Sequence, residues 1–236
     1  SGKRLWPLSN EVRSKQFIKL FKDEKGNYES MVQRVYRQIT TVDFESKITI
    51  ATSKSQASAI HNQLGEKVSI CVEPCRRDTF AAIALAVAYL KDVCHVTEDE
   101  SVIVCPVDPY VDISYYEAIE QLDALVQQDS ANLTLMGINP TYPSEKYGYI
   151  IPETSDKVSN VREFKEKPDV ETAKKYLEQN AVWNAGVFAF KLGYLMNKAH
   201  SMLDFKNYQD LYDHYDSVKK ISFDYAVVEK EPSIQM

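Results

Sequence analysis

Three cations near the start of the chain have the chemistry to bind a polyanion. Lys3 and Arg4 follow Gly2, and Lys15 comes a short way further on. A glycine lets the backbone approach a ligand more closely than a residue with a side chain does. A nucleoside triphosphate carries enough negative charge to engage all three cations. The composition also fits a simpler alternative, a basic segment in which Trp6 fills a core position.

A carboxylate follows a strongly apolar segment in the middle of the chain. Residues 101–105 predict a buried strand, and Asp108 lies just beyond it between two prolines. A carboxylate at the carboxyl edge of a parallel sheet suits Mg²⁺, which prefers a few carboxylates together with phosphate oxygens and water. We expect Asp108 to bind this metal. The alternative is an aspartate that only forms a turn.

A second charged segment, residues 73–79, follows another predicted strand. The carboxylate of Glu73 is a suitable acceptor for the paired N–H donors of guanine, and Arg77 lies where a helix begins, facing phosphate or base. We therefore expect both residues to bind the nucleotide. In the alternative interpretation, Glu73 and Arg77 pair with each other on the surface.

Four further residues have the properties that a sugar phosphate needs. Glu166 offers a carboxylate and Asn184 an amide for the hydroxyls, Gly148 allows a close backbone, and Lys167 offers a cation for the phosphate. The histidines show no ligand spacing, so a zinc site or a histidine-dependent triad has little support.

Together and in this order, these segments resemble the sugar nucleotidyltransferases, in particular the mannose-1-phosphate guanylyltransferases (GDP-mannose pyrophosphorylases). The resemblance covers nearly the whole chain. It rests on the segments RLWPLS at 4–9, KQF at 15–17, EPCRRDT at 73–79, PVDP at 106–109, YGY at 147–149, FKEKP at 164–168 and WNAGVF at 183–188.

The sequence departs from the family pattern at three positions. Asp78 replaces an asparagine, Pro109 replaces the histidine of the Pro-x-Asp-His motif, and Ala185 replaces a serine. The change at Pro109 puts any role of that histidine in doubt and leaves the metal role of Asp108 intact. The family's first strand with its Gly-Gly pair and a later Trp-x-Asp-x-Gly-x-Trp segment are not in the sequence, so we expect a domain that is incomplete at both ends.

The resemblance implies a Mg²⁺-dependent, in-line attack of a sugar phosphate on the α-phosphorus of GTP. Arg4 and Lys15 would stabilise the α-phosphate and the departing pyrophosphate, and Asp108 would hold the metal. Gly2 and Lys3 would bind the nucleotide phosphates. The implied partners are GTP, mannose 1-phosphate and GDP-mannose, with a homodimer as one option.

The sequence also has to be compared with three alternative functions. One is a sugar-1-phosphate nucleotidyltransferase of different base or hexose specificity. Another is a non-catalytic, sugar-nucleotide-binding regulatory module, which the presence of Arg4, Lys15 and Asp108 disfavours. A dinucleotide-binding dehydrogenase is disfavoured because no GxGxxG motif follows a predicted strand.

Strands and helices alternate along the sequence, which predicts an α/β fold. We expect a doubly wound, Rossmann-like, mainly parallel or mixed sheet in one domain spanning 1–236, the nucleotide-diphospho-sugar transferase fold. An exception is a hairpin excursion at 147–151 and 158–165. The predicted strands are 47–52, 68–72, 101–105, 133–138 and 185–190.

The predicted helices have recognisable ends. Ser30 begins the first, and Gly65 ends the second, which covers 56–64. Asp78 or Thr79 caps an alanine-rich helix at 80–90, and Asp169 caps another that runs to Gln179. Residues 114–127 predict an amphipathic helix, and a last helix is expected within 222–230.

Composition narrows the class of ligand. The net charge is −6, which argues against a broad nucleic-acid-binding surface and favours small anions at local basic clusters. The 4 cysteines have neither disulfide-framework nor zinc spacing. No apolar segment is long enough to cross a membrane, and no signal peptide is visible. We therefore expect a cytoplasmic location and no membrane partner.

Overall fold

The computed structural model describes residues 14–236, and it has the predicted mixed α/β class. Its α-helices are α1 (Met31–Val42), α2 (Lys54–Leu64), α3 (Asp78–Asp92), α4 (Ile113–Gln127), α5 (Val170–Leu177), α6 (Leu192–Met202), α7 (Tyr208–Asp213) and α8 (Phe223–Ala226). Its strands are β1 (Phe21–Lys22), β2 (Tyr28–Glu29), β3 (Thr49–Ser53), β4 (Ser69–Glu73), β5 (Ser101–Val104), β6 (Leu133–Ile138), β7 (Tyr149–Pro152), β8 (Val161–Lys165), β9 (Val182–Lys191) and β10 (Ile234–Gln235).

The chain separates into two compact units. Unit 1 contains Ser1–Arg76 and Pro106–Glu120, and unit 2 contains Arg77–Cys105 and Gln121–Met236. Each unit therefore draws on two stretches of sequence. The single domain expected over 1–236 stays a prediction.

Unit 1 is built on one parallel strand pair and two helices. Strands β3 and β4 pair in parallel, with Thr49 opposite Ser69. Ser30 caps α1 in a reciprocal capping box with Gln33, as the sequence predicts. Gly65, at φ 62°, ends α2 in a backbone conformation that suits glycine. The core of this unit packs residues from both helices against both strands, including Phe17, Val32, Ile60, Leu64, Ile50, Ile70 and Val107.

Unit 2 contains a mixed sheet in which β9 is the central strand. Strand β9 pairs antiparallel with β5, β6 and β7, while β8 pairs with β7 and β10 runs parallel to β6. The predicted mixed sheet is confirmed. The ladder order differs from a simple parallel succession, because β9 lies between β5 and β6. The ten residues of β9 are long enough to pair with different neighbours along their length.

Helix α3 supplies much of the core of unit 2. It is apolar around most of its circumference and buries side chains from Phe80 to Ala88, in contact with α6 and α8. The predicted side-chain cap is wrong, because the cap position is Arg77 and no side chain caps the helix there. Asp78 instead has φ 70°, a left-handed conformation that aspartate tolerates better than most residues. The Thr79 hydroxyl accepts a hydrogen bond from Phe223 N at 2.8 Å.

Several other predicted elements agree with the structure. Strand β6 occupies the predicted residues, and Asp169 caps α5 by accepting a hydrogen bond from Thr172 N. The expected helix within 222–230 is only partly correct, because α8 is short and a single 3-10 turn follows it. Across residues 14–236, no helix is both long enough and apolar enough to span a bilayer.

Candidate active site

Two of the predicted catalytic residues meet in unit 1. The ammonium of Lys15 lies 3.3 Å from Asp108 Oδ2, and both side chains are about half exposed, at 49% and 58%. Ion pairs this exposed contribute little to stability, since water screens both charges. The ion pair between Lys15 and Asp108 is therefore weak, and a ligand can readily displace either partner.

Neighbouring apolar residues hold this pair in place. Phe17 lies two positions after Lys15, in the same single 3-10 turn, and Val107 directly precedes Asp108. Both Phe17 and Val107 pack into the core of unit 1. Two segments far apart in sequence are thus fixed by one core, with their charged side chains at the surface.

Gln56 ties the Lys15 segment to the edge of the β3–β4 pair. Its Nε2 donates to Ser14 Oγ at 2.6 Å, and its Oε1 accepts from Gln16 Nε2 at 3.3 Å and from Thr52 Oγ1 at 3.2 Å. One carboxamide thus contacts both residues that flank Lys15. Sequence reasoning missed Gln56, because a glutamine on a helix gives no signal until its partners are known.

A cavity of about 390 Å³ opens in unit 1 where β3 and β4 end. Its walls come from residues 51–56 and 73–76, and they include Gln56 and the predicted base-binding residue Glu73. The carboxyl ends of parallel strands are where open α/β sheets bind ligands. Hydroxyl, amide, carboxylate and cationic groups in these walls offer both donors and acceptors to a polar ligand.

Arg77 has partners of its own in unit 2. Its Nε donates to the Tyr215 carbonyl at 3.4 Å, and its guanidinium also donates to the Asp216 carbonyl. These bonds fix the segment before α3 to the turn after α7. Any contact of Arg77 with a nucleotide would have to use its remaining N–H groups, so its nucleotide role stays a prediction.

The four predicted sugar-phosphate residues lie together in unit 2. Asn184 N donates to the Gly148 carbonyl at 2.8 Å, and Lys167 N donates to the Tyr147 carbonyl at 3.3 Å. The ammonium of Lys167 bonds Glu166 Oε1, and this bond raises the pKa of Lys167 and keeps it charged. The two backbone bonds join the segment after β8 and the first part of β9 to the residues just before β7.

The backbone of Gly148 lies against the side chains of Glu166 and Phe164. A Cβ built at this position would lie 2.6 Å from Glu166 Oε2 and 2.9 Å from the ring of Phe164. Real Cβ atoms do not come that close to neighbouring atoms, so a side chain at position 148 would displace the carboxylate of Glu166. Glu166 itself is buried, with 7% exposure, and its backbone N donates to Glu229 Oε1 at 3.0 Å.

Asp224 on α8 adds a carboxylate that sequence reasoning missed. Asn184 Nδ2 donates to Asp224 Oδ1 at 2.8 Å. Burial, followed by the negative charge of Glu166, raises the pKa of Asp224 to about 6, while Lys167 and the Asn184 hydrogen bond act in the opposite direction. Asp224 lies two positions after Ser222, which caps α8, and the sequence predicted only a helix in this segment.

Two aromatic rings stand beside these polar groups. Tyr147, which is 41% exposed, packs on Trp183 with ring centroids 4.6 Å apart. Within residues 14–236 the buried Nε1 of Trp183 has no hydrogen-bond partner. The cluster therefore combines charged groups with an apolar face, a mixture typical of sites for small polar ligands.

The residues around Asp108 indicate which metal ion this carboxylate fits. Within the described residues, no three His, Cys, Asp or Glu side chains come together as a metal site. One exposed carboxylate does not make a cage for Ca²⁺ or Zn²⁺. It does fit Mg²⁺, which commonly uses one or two carboxylates, with water and substrate phosphates completing its coordination.

Three predicted residues, Gly2, Lys3 and Arg4, lie outside the described residues. Their assignments stay predictions. The structure brings Lys15 and Asp108 together in unit 1, the unit that also contains the cavity lined by Glu73. It brings Gly148, Glu166, Lys167 and Asn184 together in unit 2.

The sequence pattern of one protein family matches almost the entire chain. The family is described as nucleotidyl transferase, and the match covers residues 1–225. This chain belongs to the nucleotidyl transferase family.

Curated relatives are about 30% identical to the chain over the aligned region. Mannose-1-phosphate guanylyltransferase of Escherichia coli is 32% identical over 202 residues, which is 81% of this chain and 42% of that protein. A protein of the same name from Sinorhizobium fredii is 29% identical over 254 residues, covering 97% and 48%. The chain thus spans about half or less of the length of these relatives.

Solved structures have the same fold. A structure from Thermus thermophilus, titled mannose-1-phosphate geranyltransferase, is 26% identical with a TM-score of 0.78, and the match covers 99% of this chain and 70% of that one. A UDP-glucose pyrophosphorylase complexed with UDP-glucose is 15% identical with a TM-score of 0.57, covering 94% and 85%, and is similar in fold.

Proposed function

We propose that this chain carries the nucleotidyl transfer of a mannose-1-phosphate guanylyltransferase. In that reaction a phosphate oxygen of mannose 1-phosphate attacks the α-phosphorus of GTP, the bond to the β-phosphate breaks, and pyrophosphate leaves. GDP-mannose is the second product. The observation that carries the proposal is the 3.3 Å contact of Lys15 with Asp108, held by the same core beside a polar cavity.

The nucleotide would be bound by unit 1. In this proposal the carboxylate of Glu73 accepts hydrogen bonds from the N–H groups of guanine in the 390 Å³ cavity. Lys15 and Arg4 neutralise the charge that builds up on the α-phosphate and the departing pyrophosphate. Gly2 and Lys3 bind the remaining phosphate oxygens.

Asp108 would hold Mg²⁺ in this proposal. A bound Mg²⁺ neutralises phosphate charge and makes the phosphorus more susceptible to attack. Holding the metal would require Asp108 to exchange its bond with Lys15, and the ammonium of Lys15 would then be available to a phosphate oxygen. This exchange requires little energy because both side chains are about half exposed, at 49% and 58%.

The sugar phosphate would be bound by unit 2. The carboxylate of Glu166 accepts hydrogen bonds from hydroxyl groups, and the amide of Asn184 donates to them and accepts from them. The ammonium of Lys167 binds the phosphate. Gly148 leaves the space that Glu166 occupies. Catalysis of this kind depends on positioning and charge neutralisation, because phosphoryl and nucleotidyl transfer needs little covalent help from the protein.

The test is pyrophosphate release from each pairing of GTP, ATP, UTP and dTTP with a panel of hexose 1-phosphates in the presence of Mg²⁺. We expect the fastest release with GTP and mannose 1-phosphate. A different preferred pair would support a transferase of other specificity. Nucleotide-sugar binding without any pyrophosphate release would support a regulatory module and contradict the proposal.

The control for the catalytic assignment compares two aspartates of unit 1. Asp108→Asn should reduce pyrophosphate release about a hundredfold or more, because the metal would lose its carboxylate. Asp112→Asn changes an exposed aspartate nearby, which accepts from Ser114 N at 3.1 Å, and should leave the rate within about threefold of the original. Equal rates for the two variants would remove Asp108 from the site.

A further inference from the structure

Asn184 has fixed hydrogen-bond partners on both ends of its carboxamide. Its Nδ2 donates to Asp224 Oδ1 at 2.8 Å, and its Oδ1 accepts from Gly186 N at 3.0 Å. An ionised carboxylate only accepts hydrogen bonds, and a backbone N–H only donates them. Both partners therefore require the same orientation of the amide. Among residues 14–236, the other N–H and the other oxygen lone pair of this amide have no hydrogen-bond partner, so both can bind a ligand.

Asp224 also acts on the charges of the same cluster. Its carboxylate is close enough to Lys167 and Glu166 for the three charges to influence one another. Lys167 is already bonded to Glu166. Asp224 thus adds a second negative charge around an ammonium that would otherwise be balanced by one carboxylate.

The surroundings of Asp224 explain why it stays in this position. Ser222 caps the short helix α8 by accepting from Tyr225 N, and the backbone N of Phe223 is held by Thr79 of α3. Phe223 is fully buried and packs against Phe188 of β9, with ring centroids 4.7 Å apart. The residue before Asp224 is therefore fixed on two sides, and the carboxylate has little freedom to move away from Asn184.

We propose that Asp224 is a positioning residue of the sugar-phosphate site, which orients the Asn184 carboxamide and sets the charge around Lys167. This inference rests on the proposed function and extends it to a residue outside the motifs that define the site. The resulting surface offers the sugar the Glu166 carboxylate, one oriented amide and one cation that lies near two carboxylates. Such a surface suits a neutral, hydroxyl-rich ring that carries a single phosphate.

The experiment measures KM and kcat for GTP and for mannose 1-phosphate, from pH 5 to pH 8.5. Asp224→Ala removes the acceptor and should raise KM for mannose 1-phosphate about tenfold or more, with KM for GTP within about twofold. Asp224→Asn keeps an acceptor oxygen for Asn184 and should restore most of this loss. It should also remove the change in sugar-phosphate KM that accompanies ionisation of Asp224 near pH 6.

Two controls keep the result specific. The sugar phosphate itself titrates near pH 6, but its titration is common to all variants, so the difference between the original protein and Asp224→Asn isolates the carboxylate. Glu231→Gln replaces another buried carboxylate, whose partners are Asn132, Tyr194 and Lys198, and should leave both KM values unchanged. Circular dichroism confirms that each variant is folded.

The outcomes separate this inference from the proposed function. If the original protein releases pyrophosphate but Asp224→Ala leaves the sugar-phosphate KM unchanged, or raises both KM values equally, Asp224 is not a positioning residue. If the original protein uses another hexose 1-phosphate, the same comparison applies to that sugar. If it uses none, the proposed function and this inference both fail.

Discussion

The substitution Asp224→Asn also tests the electrostatics of the site without any substrate. The folded protein raises the pKa of Asp224 to about 6 from an ordinary value of 3.8, chiefly through burial and the charge of Glu166. Each pKa unit corresponds to about 1.4 kcal/mol, so ionised Asp224 destabilises the folded state by up to about 3 kcal/mol. Asparagine has a similar shape and no charge.

The sign of the effect follows from proton binding. Below about pH 4 the aspartate is protonated in both folded and unfolded protein, so its burial is not penalised. Between about pH 4 and pH 6 only the folded protein holds the proton, and stability falls as pH rises. Above pH 6 the full penalty is present. Asp224→Asn should therefore gain stability relative to the original protein across this window, by up to about 3 kcal/mol at pH 7.5.

Urea unfolding at pH 4.5, 5.5, 6.5 and 7.5 measures this difference. Glu231→Gln is a contrasting control of opposite sign. Burial raises the pKa of Glu231, but hydrogen bonds from Asn132, Tyr194 and Lys198 outweigh burial and lower it. Its ionised form stabilises the folded state, and Glu231→Gln should lose most stability near neutral pH. A stability difference for Asp224→Asn that stays constant or shrinks with rising pH would refute the reasoning.

Four further substitutions or reactions follow from the structure. Gly148→Ala places a Cβ 2.6 Å from Glu166 Oε2 and should displace this carboxylate. Calorimetry should then show about tenfold weaker binding of the hexose 1-phosphate. Unchanged binding would contradict the role of this glycine. Ser30→Ala removes the capping box of α1 and should lower the urea-unfolding free energy by about 1 kcal/mol, whereas no change would mean that the cap is not needed. Gln56→Ala releases the Lys15 segment and should reduce kcat in the pyrophosphate assay, with full activity indicating that the core alone holds the segment. Burial raises the pKa of Cys105 to about 11, so at pH 8 iodoacetamide should modify it more slowly than a cysteine in a short peptide, as followed by mass spectrometry.

Local sequence signals predict the helices and most strands of this protein well. Ser30, Gly65 and Asp169 mark helix ends through capping chemistry that depends only on neighbouring residues. The place of β9 between β5 and β6 has no such signal, because it depends on which distant strands meet. The same holds for Thr79, whose hydroxyl bonds Phe223 instead of capping its own helix.

In the candidate site, too, the residue types could be predicted from the sequence, whereas the contacts between distant segments could not. Residue types alone identified Lys15 and Asp108 as a cation and a carboxylate, but their contact joins segments far apart in sequence. Gln56 and Asp224 went unnoticed because a glutamine and an aspartate are common on helix surfaces. Their roles come from partners that only the folded chain brings within hydrogen-bond distance.

The position of β9 has a consequence for synthesis on the ribosome. Strands β5 and β6 are made early, yet both pair with β9, whose last residue is Lys191. At about 5–20 residues per second, β5 waits several seconds for this partner. During that time its apolar edge is open to other nascent chains, and unpaired edges of this kind favour aggregation. Slower translation lengthens the exposure of each chain, whereas a holdase chaperone that covers residues 101–138 should raise the yield of folded protein.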